Sequence, residues 1–304
     1  MSKATVVGVG SVGSTIAYEI ANRGLVDELV LIDVYRDLAE GNAADIAQAM
    51  AFRSNVRVKV GEYGDAEGSQ IVVVTAGKPR TPDMKSRMEL ITVNKKIIGE
   101  VAQNLKKLEA KPVIITLTNP VDVMNYLMWK YTDMERTKVL GSAGMLDSAR
   151  FRTVLSDRYH AKILDVEAYV IGEHGDNQVP VFSKVKIKGE KKIFSEKEKQ
   201  EIVEDLKKSA LSVISKKGAT IFAPANNTAN MVQAILKNEK KTAACSAILD
   251  GEYGLKCVSI GVPAVLGRKG AEEILEWTLD ETEKKPFHAG AESLKKTVGE
   301  ITQS

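Results

Sequence analysis

Gly8-Val9-Gly10-Ser11-Val12-Gly13 is the stretch that decides the fold. It grows out of the apolar run Ala4–Val9 and leads into Val12–Ala21, where apolar residues recur at helical spacing. A glycine turn between strand and helix has a specific use. The first glycine permits the tight turn, the second lets a pyrophosphate approach the backbone, and the third lets helix and strand pack closely. The helix amino terminus then faces the phosphates. The pattern alone is often a mere turn. Here Asp33 stands twenty residues beyond Gly13, at the end of a second apolar run. An acidic side chain there accepts hydrogen bonds from a ribose diol and repels a 2′-phosphate, which favours NAD over NADP. Arg36, close by, keeps NADP open.

Working outward, strand and helix patterns alternate through the first half. Leu29–Ile32, Val56–Val60, Ile71–Val74 and Val113–Leu117 read as strands, and Leu38–Met50 and Leu90–Leu108 as helices. Such alternation predicts a parallel, doubly wound α/β sheet of Rossmann type, with ligands at the carboxyl ends of the strands. The second half reads as α+β. Leu146–Tyr159 is helical, and Val166–Ile171 and Val181–Ile187 are strand-like. Ser195-Glu196-Lys197-Glu198 is a capping box that opens a helix ending near Gly218. Pro224 suits the first turn of the next helix, which runs to about Asn238. Strand-like runs follow at Ala243–Leu249 and Cys257–Val262, and a last helix aligns Phe287, Ala291, Leu294, Val298 and Ile301 on one face. We divide the chain into a dinucleotide-binding domain, 1–141, and a substrate/catalytic domain, 142–304. No Pro- or Ser-rich linker separates them, so a shared interface is expected.

Composition excludes several classes. The 304 residues carry Lys+Arg 43 against Asp+Glu 40, a net charge of +3 that is too small to imply nucleic acid. No apolar run approaches the roughly 20 residues needed to span a bilayer. Met1-Ser2-Lys3 leads straight into a strand, so no signal peptide is expected. Cys245 and Cys257 form neither a disulfide framework nor a metal-ligand set, so no metal is expected and a reducing cytoplasm is. The lysines from Lys184 to Lys199 read as a solvated hairpin and helix start.

The chemistry concentrates in two short segments. Gly172-Glu173-His174-Gly175-Asp176 places one of only three histidines in a glycine-flanked, acidic turn. Glycine on both sides allows the imidazole to face a ligand closely, and histidine suits proton transfer near neutrality. Leu146-Asp147-Ser148-Ala149-Arg150-Phe151-Arg152 sets Asp147 and Arg150 three apart, on one helix face. They form an intrahelical ion pair, or they divide the work: Asp147 orients an imidazole and Arg150 offers a planar fork to a carboxylate. Arg80-Thr81-Pro82-Asp83-Met84-Lys85-Ser86-Arg87 has the composition of a surface loop able to close over a site. Thr118-Asn119-Pro120 follows the next strand end, where an amide can contact cofactor or substrate.

Together, and in this order, these segments resemble the NAD-dependent L-lactate and malate dehydrogenases, most narrowly the lactate-dehydrogenase-like malate dehydrogenases. Thr75-Ala76-Gly77 and Thr118-Asn119-Pro120-Val121-Asp122 belong to the match, which covers nearly the whole chain. The resemblance implies a soluble homodimer or homotetramer that moves a hydride between NAD(H) and a small 2-hydroxy or 2-oxo acid. In it His174 is the general acid/base and Asp147 fixes its tautomer. Arg150 holds the C1 carboxylate, Arg87 polarises the C2 carbonyl, and Asn119 positions substrate and nicotinamide. Gly8, Gly10, Ser11, Val12, Gly13, Asp33, Thr75, Ala76, Gly77, Asn94 and Asn119 hold the cofactor.

Substrate choice in that family rests on the loop, where malate enzymes carry an arginine for the second carboxylate. Arg80 is the candidate. The usual malate pattern has its two arginines six apart around proline-glycine; here Arg80 and Arg87 are seven apart and Asp83 replaces the glycine. Counting back from Arg87, the selecting position is Thr81. Asp83 would repel a dicarboxylate and Lys85 would offset it. Thr220, facing the pocket by the same resemblance, does not decide the matter. The expected substrate is malate/oxaloacetate, a dicarboxylate, with lactate/pyruvate or a larger 2-hydroxy acid as the alternative. A catalytically silent NAD-binding protein would have no reason to keep His174, Asp147, Arg150 and Arg87 together.

Overall fold

The alternation read from the first half is present in the computed structural model, which describes residues 1–79, 87–175 and 177–302. In chain order it comprises β1 (Lys3–Val7), α1 (Ser11–Asn22), β2 (Glu28–Ile32), α2 (Arg36–Met50), β3 (Arg57–Val60), β4 (Ile71–Val74), α3 (Arg87–Lys106), β5 (Val113–Thr116), α4 (Val121–Thr132) and β6 (Val139–Gly141). The strands lie in the order β3-β2-β1-β4-β5-β6, all parallel. The order reverses between β1 and β4, and the strand ends there make the crevice in which such sheets bind ligands. Both faces are covered. Along β4, Val72 and Val74 enter one core cluster while Ile71 and Val73 enter the other. A strand buried on both faces therefore reads as a continuous apolar run.

Two of the elements of this half were not expected. α4 buries Val121, Asp122, Val123, Met124, Asn125, Leu127, Met128 and Thr132, so it shows no polar stripe from which helical periodicity can be read. β6 is only three residues long.

The second half contains α5 (Gly144–Tyr159), β7 (Val166–Glu167), β8 (Val170–Gly172), β9 (Gln178–Pro180), β10 (Lys186–Ile187), β11 (Glu190–Lys191), α6 (Glu196–Lys217), α7 (Phe222–Leu236), β12 (Lys241–Asp250), β13 (Lys256–Gly267), β14 (Gly270–Ile274) and α8 (Glu281–Thr302). The run Val166–Ile171 is not one strand. It divides into β7, which joins the small sheet β11-β10-β7, and β8, which joins the main sheet. Nor is Val181–Ile187 one strand. Phe182–Lys184 is a single 3-10 turn that tucks Phe182 between Phe151 and Phe194, at centroid distances of 5.2 and 5.1 Å. Aromatic packing there takes precedence over strand pairing. The Ser195 box forms as expected: its hydroxyl accepts from the Glu198 amide, and its own amide donates to the Glu198 carboxylate at 2.8 Å. A cap of this kind is worth about 1 kcal/mol. α8 buries Phe287, Ala291, Leu294 and Ile301, with Val298 packed at the margin.

The antiparallel strands of this half extend the first half's sheet. Ser246 of β12 pairs with Gly141 of β6, and the order continues β12-β13-β8-β9. One sheet thus carries the strand ends of the nucleotide crevice and, at the end of β8, His174. Among the described residues no helix is long and apolar enough to cross a membrane.

Candidate active site

The three glycines of the β1–α1 turn differ in what they tolerate. Gly8 has φ +88°, and a Cβ there would lie 2.5 Å from the Ala76 amide nitrogen. At Gly13 a Cβ would meet the Gly8 carbonyl oxygen at 1.9 Å, so only glycine lets α1 start this close to β1. At Gly10 a Cβ would meet nothing within 4 Å. That side of the turn is open at the amino end of α1, where Ser11 and Val12 form the first turn. An open backbone at a helix amino terminus suits a pyrophosphate.

The walls of the crevice are braced by side chains. Asp33 accepts from the Val9 amide at 2.7 Å and the Tyr35 amide at 2.9 Å. A carboxylate has about four lone-pair sites, so it can still receive ribose hydroxyls. Arg36, which kept NADP open, is paired with Glu40 at 2.8 Å and Glu62 at 3.4 Å. The Thr75 hydroxyl donates to the Gly8 carbonyl at 2.6 Å, and that of Thr118 donates to Ala76 at 2.7 Å. Asn94 is fully buried. Its oxygen accepts from the Lys78 amide at 2.8 Å, and its nitrogen donates to the Asn119 carbonyl at 2.7 Å. Asn94 thus joins the loop after β4 to the loop after β5, past Gly77, whose missing Cβ makes room for Thr118. Asn119 itself is exposed at the mouth.

A histidine–carboxylate–arginine cluster is assembled from α5 and the end of β8. His174 Nδ1 lies 2.7 Å from Asp147 Oδ2, and Arg150 Nη1 lies 3.3 Å from Asp147 Oδ1. The ion pair and the orienting role therefore coexist on one carboxylate. Asp147 is nearly buried, while 24% of the His174 side chain remains accessible. Burial pushes the His174 pKa down; the Asp147 charge and hydrogen bond, with the Asp122 charge, outweigh it, and the net direction is up. An imidazole with Nδ1 engaged by a carboxylate presents Nε2 as the atom that exchanges a proton. The backbone is equally constrained. Gly172 has φ +87°, and a Cβ on Gly261 of the neighbouring strand would lie 2.7 Å from the Gly172 carbonyl oxygen.

Two residues missed by sequence reasoning complete the arrangement. Asp122 accepts from the His174 amide at 2.8 Å and from the Ser246 hydroxyl at 2.6 Å. Ser246 sits in an unremarkable apolar run and offers no signal. Asp122 lies within Thr118-Asn119-Pro120-Val121-Asp122 and could have been noticed there. The hydroxyl of Thr220 is buried, with no partner among the described residues. Arg80, Thr81, Asp83, Lys85 and Asp176 lie outside the described residues, and Arg87 is described only as the first residue of α3.

A glycine-turn nucleotide crevice whose sheet also carries a carboxylate-held histidine defines a dinucleotide-dependent oxidoreductase. Residues 2–141 match the lactate/malate dehydrogenase NAD binding domain, and residues 144–304 match the lactate/malate dehydrogenase alpha/beta C-terminal domain. The chain belongs to the lactate/malate dehydrogenase family, and NAD is its cofactor. It is 43% identical to a malate dehydrogenase of Natronomonas pharaonis, over 99% of this chain and 100% of that protein. It is 36% identical to L-lactate dehydrogenase 1 of Clostridium acetobutylicum, over 99% and 98% of the two chains. Among solved structures, the minor L-lactate dehydrogenase of Enterococcus mundtii superposes with a TM-score of 0.95 at 31% identity, covering 99% of this chain and 98% of that one.

Proposed function

We propose that the protein interconverts malate and oxaloacetate with NAD(H), a reaction of the tricarboxylic acid cycle. The observation that carries an acid/base reading is the 2.7 Å contact between His174 Nδ1 and Asp147 beside Arg150. The choice of malate is supported by malate dehydrogenases at 42–43% identity, against 36–38% for lactate dehydrogenases, and by Arg80 in the loop sequence.

Bound NAD(H) supplies the donor or acceptor for the hydride exchanged at C2. His174 takes the C2 hydroxyl proton in oxidation and returns it in reduction, through the ring nitrogen that Asp147 leaves free. Asp147 holds the tautomer and stabilises the imidazolium. Arg150 receives the C1 carboxylate through its guanidinium fork. Arg87 meets the charge that develops on the C2 oxygen, and Arg80 pairs with the second carboxylate. Asn119 contacts the nicotinamide and substrate from the mouth of β5. Gly8, Gly10, Ser11, Val12 and Gly13 receive the pyrophosphate, with Asp33 on the ribose and Thr75, Ala76, Gly77 and Asn94 forming the opposite wall. Residues 1–141 act as the nucleotide domain and 142–304 as the catalytic domain. The family resemblance supports a cytoplasmic homodimer or homotetramer, which sedimentation would test.

The direct test is NADH absorbance with oxaloacetate, pyruvate and longer 2-oxo acids side by side. Oxaloacetate should give the highest kcat/KM, and His174→Asn should bind NADH yet lose turnover by several orders of magnitude. A preference for pyruvate would move the assignment to lactate. Activity of His174→Asn within about tenfold of the parent would mean that another group carries the proton.

A further inference from the structure

We propose that Asp122 is a positioning residue for His174: from the nucleotide-binding half it grips the histidine's own backbone amide and supplies a second negative charge to the imidazolium. The inference rests on the proposed role of His174 as proton carrier.

The geometry is specific. Asp122 lies in the first turn of α4, three residues after Asn119, and is 3% exposed. One carboxylate oxygen accepts from the His174 amide at 2.8 Å, and the other accepts from the Ser246 hydroxyl at 2.6 Å. Ser246 is the residue of β12 that pairs with Gly141 of β6, where the two halves of the sheet meet. Beside it, Asn125 donates to the Ser259 hydroxyl at 3.0 Å and so joins α4 to β13. One carboxylate thus joins the helix that follows Asn119, the seam of the sheet and the loop of the proton carrier.

A neutral acceptor would suffice to hold an amide. A buried carboxylate facing two neutral donors is costly unless its charge has a use. Burial pushes the Asp122 pKa up to about 6, against hydrogen bonds from Ser246 and the His174 amide and the attraction of the His174 imidazolium, while Glu173 adds to the rise. Conversely, among the described residues the charged groups acting on His174 are Asp147 and Arg150 of α5 and Asp122 of α4. Asp147 holds the ring by its side-chain nitrogen and Asp122 holds the same residue by its main-chain nitrogen, so the two carboxylates fix the imidazole from opposite ends.

The experiment is an NMR titration of the imidazole C–H signals, readable because the chain has only three histidines, His160, His174 and His288. His174→Asn assigns the signal. In Asp122→Asn, which keeps the size and one acceptor, the His174 midpoint should fall by about half a pH unit or more. The alkaline limb of 2-oxo acid reduction should follow it, while NADH affinity by fluorescence stays within about threefold. An unmoved midpoint, whatever happens to thermal stability, would make Asp122 a clamp of the fold and overturn the proposal. Should Asp122→Asn fail to fold, Ser246→Ala carries the test. Loss of one donor favours the protonated carboxyl, so the His174 midpoint should fall in the same direction by a smaller amount. No movement there overturns the proposal equally. Lack of turnover with every 2-oxo acid would refute the functional reading, whereas the NMR midpoint still decides the coupling between Asp122 and His174.

Discussion

Replacing Asp147 by asparagine removes one charge and almost no volume, and the structure allows the consequence to be worked out. The contact to His174 Nδ1 is 2.7 Å, and Asp147 is nearly buried while His174 is partly so. Charge centres in such a pair lie about 4 Å apart, and at an effective dielectric constant of about 20 their attraction is about 4 kcal/mol. At 1.36 kcal/mol per pH unit this corresponds to about three units, the top of the range of about one to three known for an adjacent opposite charge. Asp122 keeps its charge in the variant, and Arg150 loses its partner and opposes protonation more strongly. The His174 pKa should therefore fall by about one to three pH units. Reduction of a 2-oxo acid starts from the imidazolium. At pH above the parent's midpoint its share should drop by about tenfold to a thousandfold, and kcat/KM with it. Asparagine can also turn its NH₂ towards Nδ1 and favour the wrong tautomer, which extends the loss toward about 10⁴.

The assay is NADH absorbance against pH for both proteins. The alkaline limb of reduction should move to lower pH in Asp147→Asn. Stability gives a second readout. The folded pKa of His174 lies above its unfolded value, so the stabilisation from this pair is fully present below about 6.5 and is lost as pH rises through the folded value. The difference in Tm between parent and variant should shrink across that window. Activity within about tenfold of the parent, with the limb unmoved, would refute the reasoning and leave Asp147 as an ion-pair partner of Arg150 alone.

Two further outcomes follow from the crevice and the loop. Asp33→Ala should narrow the preference for NADH over NADPH in kcat/KM and also weaken NADH binding, because the Val9 and Tyr35 amides lose their acceptor; equal use of both cofactors by the parent protein would contradict the assignment of Asp33. Arg80→Gln should cut kcat/KM for oxaloacetate about a hundredfold or more and spare pyruvate, whereas Arg87→Gln should damage both; an unchanged oxaloacetate-to-pyruvate ratio in Arg80→Gln would remove the main sequence support for malate.

The parts of this molecule legible in the sequence are those where local physics acts alone. The glycine turn between β1 and α1 is encoded by what a Cβ would strike, and the capping box at Ser195 by two reciprocal hydrogen bonds three residues apart. The pairing of His174 with Asp147 was legible for another reason. Each lies in a short motif whose residue types suit one chemistry, although 27 residues separate them. What failed was anything decided by tertiary packing. α4 was invisible because it is buried nearly all round, and a helix without a polar face has no period to detect. The strand expected at Val181–Ile187 is interrupted by a turn that seats Phe182 between two aromatic neighbours, and only Lys186–Ile187 of it is strand.

The same distinction explains why the seam between the halves was the hardest feature to foresee. A single residue pair, Ser246 with Gly141, makes the pairing of β12 with β6, and nothing local to either residue announces it. Gly141 must be small because a Cβ there would lie 2.8 Å from that of Ser246, and Ser246 must be polar because its hydroxyl donates to Asp122. Each requirement makes sense only once the other strand is in place. The chain satisfies them together at the point where the nucleotide crevice and the His174 loop share one sheet. A substitution at this seam should therefore disturb His174 through Asp122, which bonds both Ser246 and the His174 amide. Ser246→Ala isolates that route: it keeps the Cβ that faces Gly141 and removes the hydroxyl that donates to Asp122. A change in the pH profile without a matching loss of Tm would place the effect in the electrostatics of Asp122 and not in the packing of the sheet.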